Sequence, residues 1–285
     1  MSHLFETIEP CEALKKYVAC YYFIKSEDPN FTSRHYSFPH TYNALSIYKD
    51  SHFDSNPSHF SARQSLIPNH QIFVQVKRQA PLMVNISGKI NRVTILFKDF
   101  GINHFITESL SKIMGYHTSE FNSWKNDPHF PDFMTALFSH EDGKEKGKII
   151  DGFLLQRLAP IPLSYLEDAV ALLCNFEENI PIDQIAARFN VSLRSFNRKF
   201  KEVLGVSPVE YRRIAQFRQS INNKLHLSQF KRLTDIGYQS HFYDQSYFNK
   251  IYQKLTGSNP KAFFNSIERI GDDKLIFQFI TKSSG

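Results

Sequence analysis

Apolar and polar positions follow two regimes along the chain, changing near residue 100. Before it, short aromatic and β-branched runs stand between turn formers. The runs are YVACYYFI at 17–24, YNALSIY at 42–48, QIFVQVK at 71–77 and RVTILF at 92–97. The punctuation is Asp28-Pro29-Asn30, Asn56-Pro57-Ser58 and Pro68-Asn69. Runs of this length bounded by turn residues predict strands, and together an antiparallel β-sandwich or small barrel. From Ile102 the spacing becomes helical, over 102–114, 130–138 and 149–158, with the polar stretch EDGKEKGK at 141–148 as a break. Ala159-Pro160-Ile161-Pro162 reads as a linker, since each proline biases its predecessor away from helix. The expected class is α+β multi-domain: a β-rich domain with appended helices over 1–160, an all-α domain over 161–270, and a C-terminal tail over 271–285.

In the second domain, Leu166, Ala169, Val170, Leu173 and Phe176 recur close to every 3.6 residues. A short helix follows around 182–188. After the turn Phe189-Asn190-Val191, Ser192 is placed to cap a helix that carries Leu193, Phe196, Phe200, Val203 and Leu204 on one side and stops at Gly205. Pro208 opens a longer helix through about Leu225. The region repeats itself. Phe196, Asn197, Arg198, Phe200, Gly205, Pro208 and Tyr211 match Phe248, Asn249, Lys250, Tyr252, Gly257, Pro260 and Phe263, each 52 positions later. Ile185-Ala186 matches Ile236-Gly237 at an offset of 51. Each copy is a short helix, a tight turn and a longer helix whose aromatic side packs. That arrangement is the helix-turn-helix, in which the second helix reads the major groove.

Charge sharpens this picture. The 285-residue chain has a formal net charge of +6. The stretch 188–261 holds 14 Lys and Arg against Glu202, Glu210, Asp235 and Asp244, an excess of ten, so the remainder is net negative. A contiguous basic stretch is the footprint of a polyanionic partner, although a solvated basic face has the same composition. Cys11, Cys20 and Cys174 are odd in number and lack metal-site spacing, which fits a reducing compartment. The start, MSHLFETIEP, lacks the pattern of a secretory leader, and no apolar run reaches membrane-spanning length. The expectation is a cytoplasmic protein without a membrane partner.

On the motifs IAARFNVSLRSFNRKFKEVLGVSPVEY and LTDIGYQSHFYDQSYFNKIYQKLTGSNPKAFF, residues 165–266 resemble the DNA-binding domain of the AraC/XylS family of transcription regulators. The resemblance implies two helix-turn-helix units on one long helix, with recognition helices in successive major grooves of double-stranded DNA and RNA polymerase as a further partner. The positions expected to meet DNA are Ser192, Arg194, Ser195, Asn197, Arg198 and Lys201 in the first unit, and Gln245, Ser246, Asn249 and Lys250 in the second. Three departures from the family pattern stand out: His241 where the second turn usually has glycine, Gly237 where alanine is usual, and Gln216 where an arginine commonly contacts the DNA backbone. The first 155 residues resemble, through PCEALKKYVACYYFI and VTILFKDFGINHFI, the β-rich, cupin-like domain that precedes this module in some regulators. Such domains hold a small-molecule effector, form a homodimer, or both.

Two classes of function remain open at this point: a transcription regulator, and an enzyme or DNA-repair protein that uses the helical module for targeting. Ten of the twelve histidines precede residue 141, including His35, His40, His52, His59 and His70, but no HxH pair with a later carboxylate and histidine accompanies them. Cys11 lacks a companion motif for nucleophilic chemistry. The expectation is therefore no catalytic residue, no metal, no cofactor and no enzymatic activity.

Overall fold

The computed structural model describes residues 4–113, 118–163, 165–226, 233–270 and 275–280. Ten strands precede the helical region: β1 (Leu4–Ile8), β2 (Val18–Ser26), β3 (Thr32–Ser37), β4 (Asn43–Lys49), β5 (Ser51–Asn56), β6 (His59–Gln64), β7 (His70–Gln75), β8 (Leu82–Ser87), β9 (Ile90–Phe97) and β10 (Thr118–Glu120). They form two facing sheets, and β11 (Glu268–Ile270) and β12 (Leu275–Phe279) join the second from the far end of the chain. The first sheet runs β1-β2-β9-β4-β7-β10 and the second β11-β12-β3-β8-β6-β5. The four runs read from the sequence are the four central strands of the first sheet. They are rich in apolar residues because both of their faces are covered. One face, with Tyr21, Leu45, Val74 and Ile95, packs under Phe133, Leu137, Ile150 and Phe153 of two helices, α2 (Phe130–Ser139) and α3 (Gly143–Arg157). The other faces the second sheet. The strands of that sheet, such as TSRHYS and SHFDSN, are mixed in polarity and leave no comparable signal.

Two helical expectations are corrected. The helix expected over 102–114 is instead a 3-10 turn at Gly101–His104 and a short α1 (Leu110–Ile113), and Met114 lies outside the described residues. Carbonyls that a continuous helix would use are engaged elsewhere: Trp124 Nε1 donates to Phe105 O at 2.9 Å and the Ala159 amide to His104 O at 2.9 Å. Conversely, the polar break at 141–148 falls largely within α3. Asp142 caps α3 by accepting from the Glu145 amide. The glycines of that stretch mark close approach to β1. A Cβ on Gly143 would collide with the Glu6 carboxylate, and one on Gly147 would stand 2.9 Å from Ile8 Cγ2.

The helical region contains α4 (Leu166–Cys174), α5 (Ile182–Arg188), α6 (Leu193–Leu204), α7 (Pro208–His226), α8 (Leu233–Gln239), α9 (Gln245–Thr256) and α10 (Pro260–Ser266). Its two apolar clusters correspond to the two repeats. One is built on Phe196, Phe200 and Tyr211, the other on Phe248, Tyr252 and Phe263. The linker at 159–162 is pinned to the first domain, with the Ile161 amide donating to His104 Nδ1 at 3.2 Å. The segment expected as a tail contains β12, which lies antiparallel to β3 with Phe277 opposite Ser37; residues 271–274 and 281–285 lie outside the described residues. The two regions also touch through Asn103, which donates to Val203 O, and Arg218 of α7, which donates to Pro39 O at 2.7 Å and Phe38 O at 3.2 Å. Among the described residues no helix is long and apolar enough to cross a membrane.

Candidate nucleic-acid interface

The duplication seen in the sequence extends to how each helix starts and stops. Ser192 Oγ accepts from the Ser195 amide at the start of α6, and Asp244 Oδ1 accepts from the Tyr247 amide, 52 positions later, at the start of α9. Gly205 and Gly257 end these helices in the left-handed region, at φ 80° and 77°, which glycine adopts without a Cβ clash. The helices that follow are capped in parallel. Ser207 and Glu210 form a reciprocal capping box on α7, the Ser207 amide donating to Glu210 Oε2 at 2.9 Å and the Glu210 amide to Ser207 Oγ at 3.3 Å. Asn259 Oδ1 accepts from the Ala262 amide on α10. Against the upward pull of burial, the Ser207 amide and hydroxyl donating to it hold the Glu210 carboxyl below the ordinary carboxylate range.

Each recognition helix then buries its aromatic side. Phe196 and Phe200 stand 5.7 Å apart, and Phe200 meets Tyr211 edge-on at 5.6 Å. In the second unit Phe248 and Tyr252 are 4.7 Å apart, and Tyr252 meets Phe263 at 5.4 Å. Locking these faces inward leaves the opposite faces to solvent. Ser192, Arg194, Ser195, Arg198 and Lys201 are exposed and Asn197 is half-buried; Gln245, Ser246, Asn249 and Lys250 are all exposed. The structure therefore brings the first six onto the start and outer face of α6 and the other four onto α9. Lys199, on the same helix as Arg198, is engaged by Glu202 at 3.5 Å. Gln245 Nε2 donates weakly to Asn249 Oδ1 at 3.4 Å, which aligns two amides along α9.

The sequence reading missed three exposed tyrosines around α9: Tyr238, Tyr243 and Tyr247. Tyr238 and Tyr247 stand where the first unit has Ala187 and Ser195, and Tyr243 is the one residue by which the second turn is longer than the first. The second surface is therefore more aromatic than the first, and unequal residues at two matched positions, with a tyrosine as the inserted turn residue, are the signal that could have shown it.

The departures from the family pattern have structural answers. His241 sits at φ 57°, and Asn190, its match in the first turn, at φ 54°, so both turns require a left-handed residue. Gln216, read as a lost DNA contact, is buried in α7, and its Nε2 donates to Ser240 O at 3.1 Å and His241 O at 2.8 Å. It fastens the second turn to the connecting helix. A Cβ on Gly237 would meet Gln245 Oε1 at 3.5 Å and Phe248 Cγ at 3.7 Å, ordinary contacts that would admit alanine.

A family model for a helix-turn-helix domain matches residues 185–266. The chain is 24% identical over 152 residues to the arabinose operon regulatory protein of Escherichia coli K12, covering 48% of this chain and 51% of that protein. It is 28% identical over 107 residues to the HTH-type transcriptional activator RhaS of E. coli O139:H28, covering 35% and 33%. The chain thus spans about half the length, or less, of the curated relatives it matches. Among solved structures, ToxT from Vibrio cholerae aligns with a TM-score of 0.45 at 16% identity, covering 85% of this chain and 98% of that one. With the duplicated caps, the paired aromatic cores and the two exposed polar faces, residues 185–266 are a helix-turn-helix domain of the AraC/XylS type.

Proposed function

We propose that this chain is a sequence-specific, DNA-binding transcription regulator of the AraC/XylS type. The observation that carries the reading is the matched pair of α6 and α9. Each is capped, buried by the same aromatic pattern, and exposed along a face of side chains suited to base edges and phosphates. Arginine pairs bidentately with guanine, and asparagine or glutamine with adenine, whereas lysine neutralises phosphate as a point charge. The 19 residues of α7 span ~28 Å at 1.5 Å per residue, and the width of the flanking helices brings the two readers toward one turn of B-DNA, ~34 Å. In this reading Arg194, Asn197 and Arg198 read one half-site and Gln245, Ser246 and Asn249 the next, with Lys201 and Lys250 on phosphate and Ser192 and Ser195 at the start of the first reader. The β-domain regulates the pair by holding a small-molecule effector, by forming a homodimer, or both, and RNA polymerase is the downstream partner.

The test is selection of bound duplexes from a random pool by the full chain, followed by anisotropy titration at several salt concentrations. Two half-sites about one helical turn apart, with affinity falling steeply as salt rises, are expected. Binding without preference over competitor DNA would end the sequence-specific reading.

A further inference from the structure

Between the two sheets and α7 lie two small adjoining cavities, of about 40 and 50 Å³. They share Tyr22, Ser37, Gln75 and Phe277 as their common wall. Arg92 lines the first, Arg78 and Arg218 the second, and Lys77, next to Arg78 in the chain, is itself buried. Arg78 is 2% exposed and Arg92 5% exposed. Buried charges are ordinarily paired, because an uncompensated one costs several kcal/mol of desolvation. Here the pairing is deficient. Neither lining contains a carboxylate, and among the described residues Asp99 is the one whose charge acts on any of the four cations, at Lys77.

The partners that do exist are neutral. Arg92 donates to Tyr48 Oη at 3.3 Å and lies over the Tyr22 and Tyr48 rings. Arg78 donates to Ser37 Oγ at 3.2 Å and, with the Gln75 amide turned toward it, to Gln75. Arg218 holds the Phe38 and Pro39 carbonyls. Among the described residues, no hydrogen-bond acceptor meets the Nε atoms of Arg78 and Arg92. Burial lowers Arg78 and Arg218 to about 9, with Arg218 adding to the effect on Arg78, and lowers Lys77 to about 8.

We propose that these cavities are a binding site for a small polar molecule carrying two or more negative charges, a phosphorylated or polycarboxylate metabolite, held between Arg92 and the Arg78–Arg218 pair. Ser37, Gln75, Tyr22 and the histidines His35 and His40 add polar groups to the walls, so the lining suits a compact polyanion better than an apolar chain. The assignment rests on the regulator reading, which it deepens by naming the effector's chemistry. Its position gives the ligand a way to act. Arg218 belongs to the helix that joins the two helix-turn-helix units, and Phe277 to the strand that follows the second unit. A polyanion competes with the Phe38 and Pro39 carbonyls for Arg218, and so alters the contact between the β-domain and the connecting helix. A ligand that engages the two arrangements differently shifts their populations.

The test is calorimetric titration and thermal shift on the full chain at constant ionic strength. Pyrophosphate and citrate represent the two sources of polyanion; glucose and decanoate serve as uncharged and singly charged apolar comparators. At least one polyanion should raise Tm and bind with a one-to-one isotherm, and Arg92→Gln and Arg78→Gln should each weaken it at least tenfold. Arg92→Lys retains the charge and should weaken binding less than Arg92→Gln, which separates charge from folding damage. The double variant Arg198→Ala/Lys250→Ala removes basic groups on the reading surface and should bind the polyanion as the parent does. Loss in that double variant with retention in Arg92→Gln overturns the site, as does binding of decanoate or glucose in place of both polyanions, or no response to either polyanion. DNA anisotropy on the same preparations keeps the two readings apart. Intact DNA binding with no polyanion effect removes the effector assignment alone, whereas polyanion binding without any DNA affinity removes the regulator reading and leaves the site.

Discussion

Gln216→Met tests whether the second helix-turn-helix unit depends on one buried amide. The substitution keeps the length and most of the volume of the side chain but removes both donations from Nε2, to Ser240 O at 3.1 Å and His241 O at 2.8 Å. A net hydrogen bond contributes about 1 kcal/mol, and an acceptor left buried without a partner costs ~1–3 kcal/mol. Ser240 is fully buried and His241 is exposed, so water can replace the bond to His241 far more readily than the one to Ser240. The sum is a loss of about 2–3 kcal/mol, concentrated in the second unit. Denaturant unfolding supplies the total, and hydrogen exchange shows where it falls: amides of α8 and α9 should lose protection while those of α5 and α6 keep theirs.

A double-mutant cycle isolates the cause. His241→Gly relieves a left-handed residue, worth ~1 kcal/mol or more, and the relaxed turn should need Gln216 less. Coupling of at least about 0.5 kcal/mol between the two changes is expected. A cost for Gln216→Met below ~0.5 kcal/mol, or protection lost equally in both units, would refute the reasoning.

Gly237→Ala should stabilise the chain by up to ~1 kcal/mol, since its Cβ meets only ordinary contacts within α8; a lower denaturation midpoint would contradict that geometry. Arg198→Ala should cost about 1–3 kcal/mol of specific DNA affinity and relax preference at one base position, while Lys201→Ala should weaken all sequences alike; an unchanged base preference in Arg198→Ala would reassign that residue to phosphate or solvent. Ser207→Ala removes one side of the capping box on α7 and should cost about 1 kcal/mol in denaturant unfolding. His35, buried and lowered to about 3, stays neutral in the folded chain while the unfolded chain gains a proton below about 6.5, so stability falls as pH drops from 6.5 toward 3; His35→Gln should flatten that acid limb by about one proton, or ~1.4 kcal/mol per pH unit, in unfolding measured across the range.

The helix-turn-helix region was legible in the sequence because its determinants are local and occur twice. Cap residues, stop glycines and apolar stripes act within one or two turns of helix, and a second copy at a fixed offset raises a pattern above chance. The central strands of the first sheet were legible for a related reason: coverage on both faces favours runs dense in apolar residues. The rest depended on partners distant in the chain. The stretch 141–148 read as a polar break until β1 is placed against Gly143 and Gly147, and the 102–114 segment read as a helix until Trp124 and Ala159 took its carbonyls. Gln216 read as a missing DNA contact, although its role is set by a turn 24 residues away. Above all, Arg78, Arg92 and Arg218 lie on separate elements and carry no shared motif; closing two sheets over the first two, with α7 and β12 returned from later in the chain, is what lines the cavities with three arginines. Local periodicity and capping are written along the chain, whereas burial of charge is a property of the space between its segments.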